Sequence, residues 1–226
     1  MVSSRAAERV RRRPHLDRDV ILDAATELAA NAEPITVRAL GAALSADPTA
    51  IYRHFRDKDE LVRAVFDRLL VGILRQIDGD LAWREQLRSM AELTLQLCVD
   101  YPTVGVEAPT LTTEGPGELS AIELLLEQFK RSGLTPTDAV RFYAVFASYL
   151  LALGASFAAY RLSSGREAMG ASWIGDLGPV DSARFPGVAA ARSDLAALTD
   201  AEIFMTGVEV ILDAAEATVA RGRRRH

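Results

Sequence analysis

Residues 35–61 read ITVRALGAALSADPTAIYRHFRDKDEL. The spacing of caps and apolar positions here predicts two short helices joined by a tight turn, with a third helix beginning directly after. Thr36 is placed to N-cap the first helix, its hydroxyl accepting a bond from an otherwise orphan backbone N–H. Leu40 and Leu44 then fall on one face. Ser45-Ala46-Asp47 forms the turn, with Asp47 as the next cap and Pro48 at the first helical position, where a missing N–H costs nothing. The second helix runs from Pro48 to about Phe55. Asp57-Lys58-Asp59-Glu60 has capping-box spacing and opens the third.

A helix this short buries Ile51 and Phe55 and leaves Thr49, Ala50, Tyr52, Arg53 and His54 facing outward. That is the arrangement of a helix-turn-helix, whose second helix presents its N-terminal side chains to base edges in the major groove. Spacing alone leaves open an ordinary packed helix pair with a solvated basic tip, because generic helix-turn-helix patterns are weakly specific. The full run DPTAIYRHFRDKDEL, Asp47 to Leu61, resembles the recognition region of the TetR (tetracycline-repressor-like) family of transcriptional regulators. Tyr-Arg-His-Phe at 52–55, followed by Lys58, is the most specific part of the match. The resemblance is close from Leu16 to about Leu70 and elsewhere extends only to layout.

Composition agrees with a helical chain. Its 226 residues suit one compact unit or two small ones. Hydrophobic residues make up 49%, enough for a sizeable core, and strand-like alternation is scarce. The fold class expected is all-α: an N-terminal three-helix DNA-binding domain plus a C-terminal helical ligand-binding and dimerisation domain. The single cysteine, Cys98, excludes an internal disulfide and a cysteine-based zinc site. The arginine-rich N-terminus has no apolar run behind it, so no signal peptide is expected and the compartment is cytoplasmic. A formal net charge of −5 looks wrong for a DNA binder, but its distribution answers the objection. Residues 1–60 carry ten basic and ten acidic residues, whereas 61–220 carry twelve against twenty-one and the last six add +4. Acid is concentrated away from the reader.

Along the chain, residues 1–15 form a basic arm that is either a solvated tail or a minor-groove arm. A first helix spans about Arg18 to Ala30, capped by Asp17, with Val20, Ile21, Ala24, Ala25 and Leu28 as its buried stripe. The reader domain is expected at 16–60, with a connecting helix at 58–77, an effector-binding and dimerisation domain at 78–221, and a basic tail at 222–226. In the second domain, helices are expected at about Leu81–Tyr101, Glu118–Arg131, Thr135 onward, and Thr199–Ala220. Phe142 to Tyr160 carries no charge and is nearly long enough to span a membrane. Three tyrosines, two serines, a glycine and the flanking Arg141 and Arg161 argue instead for a buried core helix. Ala144, Ala147, Ser148, Leu151 and Ala155 offer a small-residue face for close helix contact. Residues 163–198 hold five glycines and two prolines, a loop long enough to be functional, disordered or partly helical.

The resemblance implies a homodimer, held by the helix near 137–161 and the last helix in a four-helix bundle, and a palindromic double-stranded DNA operator. Tyr52, His54 and Lys58 resemble the family's phosphate-contacting positions. Thr36 and Arg38 open the first reader helix within reach of the backbone or one base. Pro48, Thr49 and Ala50 take the base-facing positions, offering methyl and hydroxyl contact suited to thymine. Arg53 is a candidate for guanine or for phosphate. Ser45 and Gly41 depart from the family's usual glycine and alanine, the latter costing about 0.5–1 kcal/mol in a helix. Asp47 replaces the usual serine or threonine cap.

The resemblance also implies a small effector bound by the C-terminal domain, with Met90, Leu97, Tyr101, Glu107, Phe129, Phe142, Phe146, Tyr149 and Trp173 as candidate lining. Their character suits an apolar or aromatic molecule, though each also reads as plain core. No cofactor, metal site or catalytic residue is expected. The rival readings are an effector-independent architectural DNA binder and an all-α enzyme. The enzyme needs a convergent acid–base set, yet the three histidines are His15, His54 and His226, one in each tail and one in the reader.

Overall fold

A computed structural model describes residues 16–164 and 178–224. Every regular element among them is helical: α1 (Arg18–Ala30), α2 (Val37–Leu44), α3 (Pro48–Ile51), α4 (Lys58–Leu74), α5 (Trp83–Asp100), α6 (Pro102–Gly105), a 3-10 turn η1 (Ala108–Thr110), α7 (Pro116–Arg131), α8 (Pro136–Ser164), α9 (Pro186–Ala197) and α10 (Asp200–Arg223).

Local signals set the starts of the reader helices. Asp17, Thr36, Asp47 and Asp57 each accept a backbone N–H from the first turn of α1, α2, α3 and α4. The Asp57 box differs in detail. Glu60 N–H donates to Asp57 Oδ1 as expected, but Glu60 Oε2 reaches back one residue further, to the Arg56 N–H at 2.8 Å. The recognition segment is regular only over Pro48–Ile51. It then continues as a hydrogen-bonded turn, with His54 and Phe55 N–H groups both donating to the Ile51 carbonyl.

The α2–α3 turn shows why Ser45 and Gly41 stand where they do. Ser45 adopts φ 50°, the left-handed region, and its N–H and that of Ala46 donate to Ala42 and Gly41 carbonyls, a Schellman closure. A β-carbon on Gly41 would stand 3.0 Å from both the Ala46 carbonyl oxygen and Pro48 Cγ. The glycine that weakens α2 therefore lets the turn and α3 pack close.

Packing joins the two parts through α4. Leu61, Val62, Val65, Phe66, Leu70 and Ile73 of α4 are all buried, and the helix packs against both α1 and α7. Among the described residues, α4 packs closely along α7. There Asp67 Oδ1 accepts from the Thr113 hydroxyl (2.9 Å) and the Glu118 N–H (3.0 Å), so an α4 carboxylate caps α7. Arg84 on α5 binds Glu209, Asp213 and Glu216 of α10, and Arg88 also takes Glu209.

The expectation for Phe142–Tyr160 needs correction. In α8 the residues Phe146, Leu150, Phe157 and Ala158 are core, but only 28% of its most apolar stretch is buried within the chain. Ala144, Val145, Ser148, Ala152, Ser156 and Ala159 form an open stripe of mostly small residues. Ala147 and Leu151, expected on the contact face, turn inward to a cavity. On α10 the buried stripe is Phe204, Val208, Leu212 and Ala215, leaving Val210, Ala214 and Ala217 exposed. The 163–198 segment is partly helical: α9 lies within it and buries no residue. Residues 1–15, Trp173 and the last two residues of the basic tail lie outside the described residues.

Candidate nucleic-acid interface and effector cavity

The outward face of the reader is assembled from the turn and the two helix starts that flank it. Thr36, Arg38, Pro48, Thr49, Tyr52, Arg53 and Lys58 are exposed, and Ala50 and His54 are half-buried. Ile51 and Phe55 anchor the segment from below, 1% and 2% exposed. A phenol that is 52% exposed beside a buried phenylalanine three residues on is a helix end turned outward.

Hydrogen bonding narrows what each side chain has left to offer. Asp47 Oδ1 takes both the N–H (2.8 Å) and the hydroxyl (2.7 Å) of Thr49, so Thr49 presents its methyl more than its donor. Those two bonds, the hydroxyl first, hold the Asp47 carboxyl below its ordinary value. The Glu60 N–H and then the Arg56 side chain do the same for Asp57. The Thr36 hydroxyl is spent on capping Ala39 at 3.1 Å.

A residue that the spacing did not single out holds this surface in place. Arg18, at the start of α1, donates from Nη1 to the His54 carbonyl at 2.8 Å and lies 3.2 Å from Glu60 Oε1. Its guanidinium carbon sits 4.1 Å from the centroid of the Phe55 ring. One planar cation thus clasps the end of the recognition turn, its buried anchor and the first turn of α4. Lys58 is also engaged: its Nζ lies 2.9 Å from Glu107 Oε1, in the turn between α6 and η1.

A second feature is a cavity of about 90 Å³ among α4, α5, α7 and α8. Phe66 and Leu70, Met90, Ala121, Leu125, Tyr143 and Leu150 are among its walls, and Leu111 closes one side. Its polar groups are few. Glu118 Oε2 accepts from the Thr113 N–H and hydroxyl and from the Glu114 N–H. Burial, and then the charge of Glu118, raise the Tyr143 phenol above its ordinary value. Thr94 donates to the Met90 carbonyl.

Of the described residues proposed to line an effector site, only Met90 lies on this cavity. Phe129 and Phe146 are fully buried and meet edge to face at 5.7 Å, with Phe142 tilted against Phe129 at 5.9 Å. Tyr149 donates to the Ile203 and Phe204 carbonyls of α10. Leu97 and Tyr101 border a separate groove between α1, α4 and α5, and Glu107 is bound to Lys58. The omission of Tyr143 has a simple cause. It is one residue, about 100° of helix, from Phe142, and only the packing of α7 tells which of the two faces the cavity.

The family described as "Bacterial regulatory proteins, tetR family" matches residues 21–65, and "Tetracyclin repressor-like, C-terminal domain" matches residues 78–219. The chain belongs to the TetR family. This TetR-family transcriptional regulator is 26% identical over 223 residues to the HTH-type transcriptional repressor DrrR1 of Streptomyces coeruleorubidus, covering 93% of this chain and 81% of that protein. Its fold matches that of ActR from Streptomyces coelicolor, solved in complex with actinorhodin: TM-score 0.71 and 18% identity over 91% of this chain and 99% of the other. It also matches BioQ, known from Mycobacterium smegmatis. The structure of BioQ with its double-stranded DNA operator gives TM-score 0.62 and 20% identity, covering 90% and 99% of the two chains.

Proposed function

We propose that this regulator is a homodimeric repressor that reads a palindromic operator with two copies of the 48–55 segment and is released by a small apolar or aromatic effector. The observation that carries the reading is the outward display of Pro48, Thr49, Tyr52, Arg53 and Lys58 on a buried Ile51–Phe55 anchor. Residues 16–60 are the reader, 58–77 the connector, and 78–221 the effector-binding and dimerisation part. Tyr52, His54 and Lys58 take phosphates; Pro48, Thr49 and Ala50 meet base edges; Thr36, Arg38 and Arg53 flank them.

The open stripes of α8 and α10 support the dimer. Exposed alanines and serines at helical spacing let two copies approach closely, and Val145 and Val210, both more than half exposed, would be covered. Two readers related by that axis meet half-sites about 34–36 Å apart, or a multiple of this. The solved BioQ–operator and ActR–actinorhodin complexes support operator and effector as partners, and the relative DrrR1 supports repression.

The effector site is the α4–α5–α7–α8 cavity. Its apolar walls, with Glu118 and Tyr143 as the polar groups, suit an apolar ring bearing a hydrogen-bonding substituent. At about 90 Å³ it is smaller than most ligand sites, so binding must part its walls, and Phe66 and Leu70 carry that displacement into α4.

Selection of bound fragments from random DNA tests the reading. A palindrome should emerge, bound in a salt-dependent manner and lost with Tyr52→Ala. Recovery of no preferred sequence would overturn it. A thermal-shift screen of small aromatics against wild type and Ala147→Trp, which fills the cavity, tests the effector: hits that stabilise both equally are bound elsewhere.

A further inference from the structure

Lys58 reaches across the molecule. Its partner Glu107 is 49 residues away, and the ammonium–carboxylate separation is 2.9 Å. An ammonium so held directs at a carboxylate the donors it would otherwise direct at phosphate, and it cannot serve both acceptors fully at once. We propose that Glu107 is a built-in competitor for the operator phosphate taken by Lys58, an affinity-determining residue supplied from outside the reader. The inference rests on the reading of Lys58 as a phosphate contact.

The backbone around Glu107 belongs to the C-terminal part. The Glu107 N–H donates to the Val104 carbonyl, and its own carbonyl accepts from the Thr110 N–H (3.0 Å) and hydroxyl (2.9 Å). Val104 and Ala108 on either side are fully buried. Gly105 packs so close to Cys98 of α5 and Ala158 of α8 that a β-carbon there would stand 3.0–3.1 Å from each. The turn that carries Glu107 is thus packed chiefly on α5 and α8, whereas Lys58 belongs to α4. Four residues beyond Glu107, Leu111 forms part of the cavity wall. A change in cavity shape thus acts on the turn that holds the carboxylate, and the separation of the pair follows. Side-chain exposures of 50% and 35% make the pair a weak contributor to stability, so its loss alters affinity without unfolding the chain.

Full-length protein and an operator fragment selected from random DNA, followed by fluorescence anisotropy, provide the test. Glu107→Gln should bind about two- to fivefold more tightly, the scale of one exposed ion pair, with its melting temperature little changed. Lys58→Gln should weaken binding, and adding Glu107→Gln to it should change nothing further. If Glu107→Gln tightens binding equally with and without Lys58, the effect is general repulsion and the competition is refuted. No change in the wild-type background refutes it as well. If Lys58→Gln itself binds like wild type, the phosphate-contact reading fails first and the inference falls with it.

Discussion

Arg18 offers the sharpest test of how the reader is held. Truncation to alanine removes a charged hydrogen bond to the His54 carbonyl, an interaction with the Phe55 ring and an ion pair with Glu60. Such bonds are individually worth about 1.5–3 kcal/mol, about 0.5–1 kcal/mol and about 0–1 kcal/mol. The side chain is 49% exposed, so the low ends apply, and Arg18→Ala should cost about 2 kcal/mol of stability. Arg18→Lys keeps the charge near Glu60, but one ammonium cannot reach the carbonyl and carboxylate while covering the ring. It should cost about half as much. Urea melts give the stability change, and paired titrations against selected operator and scrambled DNA give the functional one. Scrambled-sequence affinity should hold, because phosphates tolerate a displaced helix. Operator affinity should drop about tenfold, because base edges do not. If Arg18→Ala melts with wild type and keeps its operator-to-scrambled ratio, the clasp is not an organising contact. If Arg18→Lys matches wild type, the three-point geometry is refuted.

The α2–α3 turn makes two opposed predictions. Ser45→Gly relieves a left-handed φ of 50° and should raise stability by about 1 kcal/mol, read from urea midpoints. Gly41→Ala gains helix propensity but forces the turn away from Pro48, so operator affinity should fall while far-UV circular dichroism is retained. The caps make the reader acid-sensitive: Asp47 and Asp57 are held below their ordinary 3.8. Their stabilising effect is therefore complete above that value and lost as pH falls through the lowered one. Thermal melts should decline on acidification into that range, and by less in the Asp47→Asn, Asp57→Asn variant. Finally, burial pushes the Cys98 thiol up to about 12, so a thiol reagent at pH about 8 should react only on unfolding. Fast labelling of the native protein would refute that burial.

The reader was legible because its information is local. Capping side chains at 36, 47 and 57, a proline at the first helical position, and apolar residues at 51 and 55 act within one helical turn. Each places an element start without reference to the rest of the chain. Farther along, α7 begins two residues before its expected start because Asp67 of α4 supplies the cap from outside, and no inspection of residues 112–118 alone reveals that. The α8 helix shows the same limit. Its apolarity was evident, but small residues on both sides left open which face turns inward. Ala147 and Leu151 went to the cavity, while Ala144 and Ser148 stayed on the open stripe.

Caps and periodicity within a few residues are enough to specify the helical class, the helix-turn-helix and the side chains its second helix displays. The cavity lining, the Arg18 clasp and the Lys58–Glu107 pair come into being when the helices pack. Each joins residues dozens of positions apart, and their meeting depends on the relative rotation of packed helices rather than on any local preference.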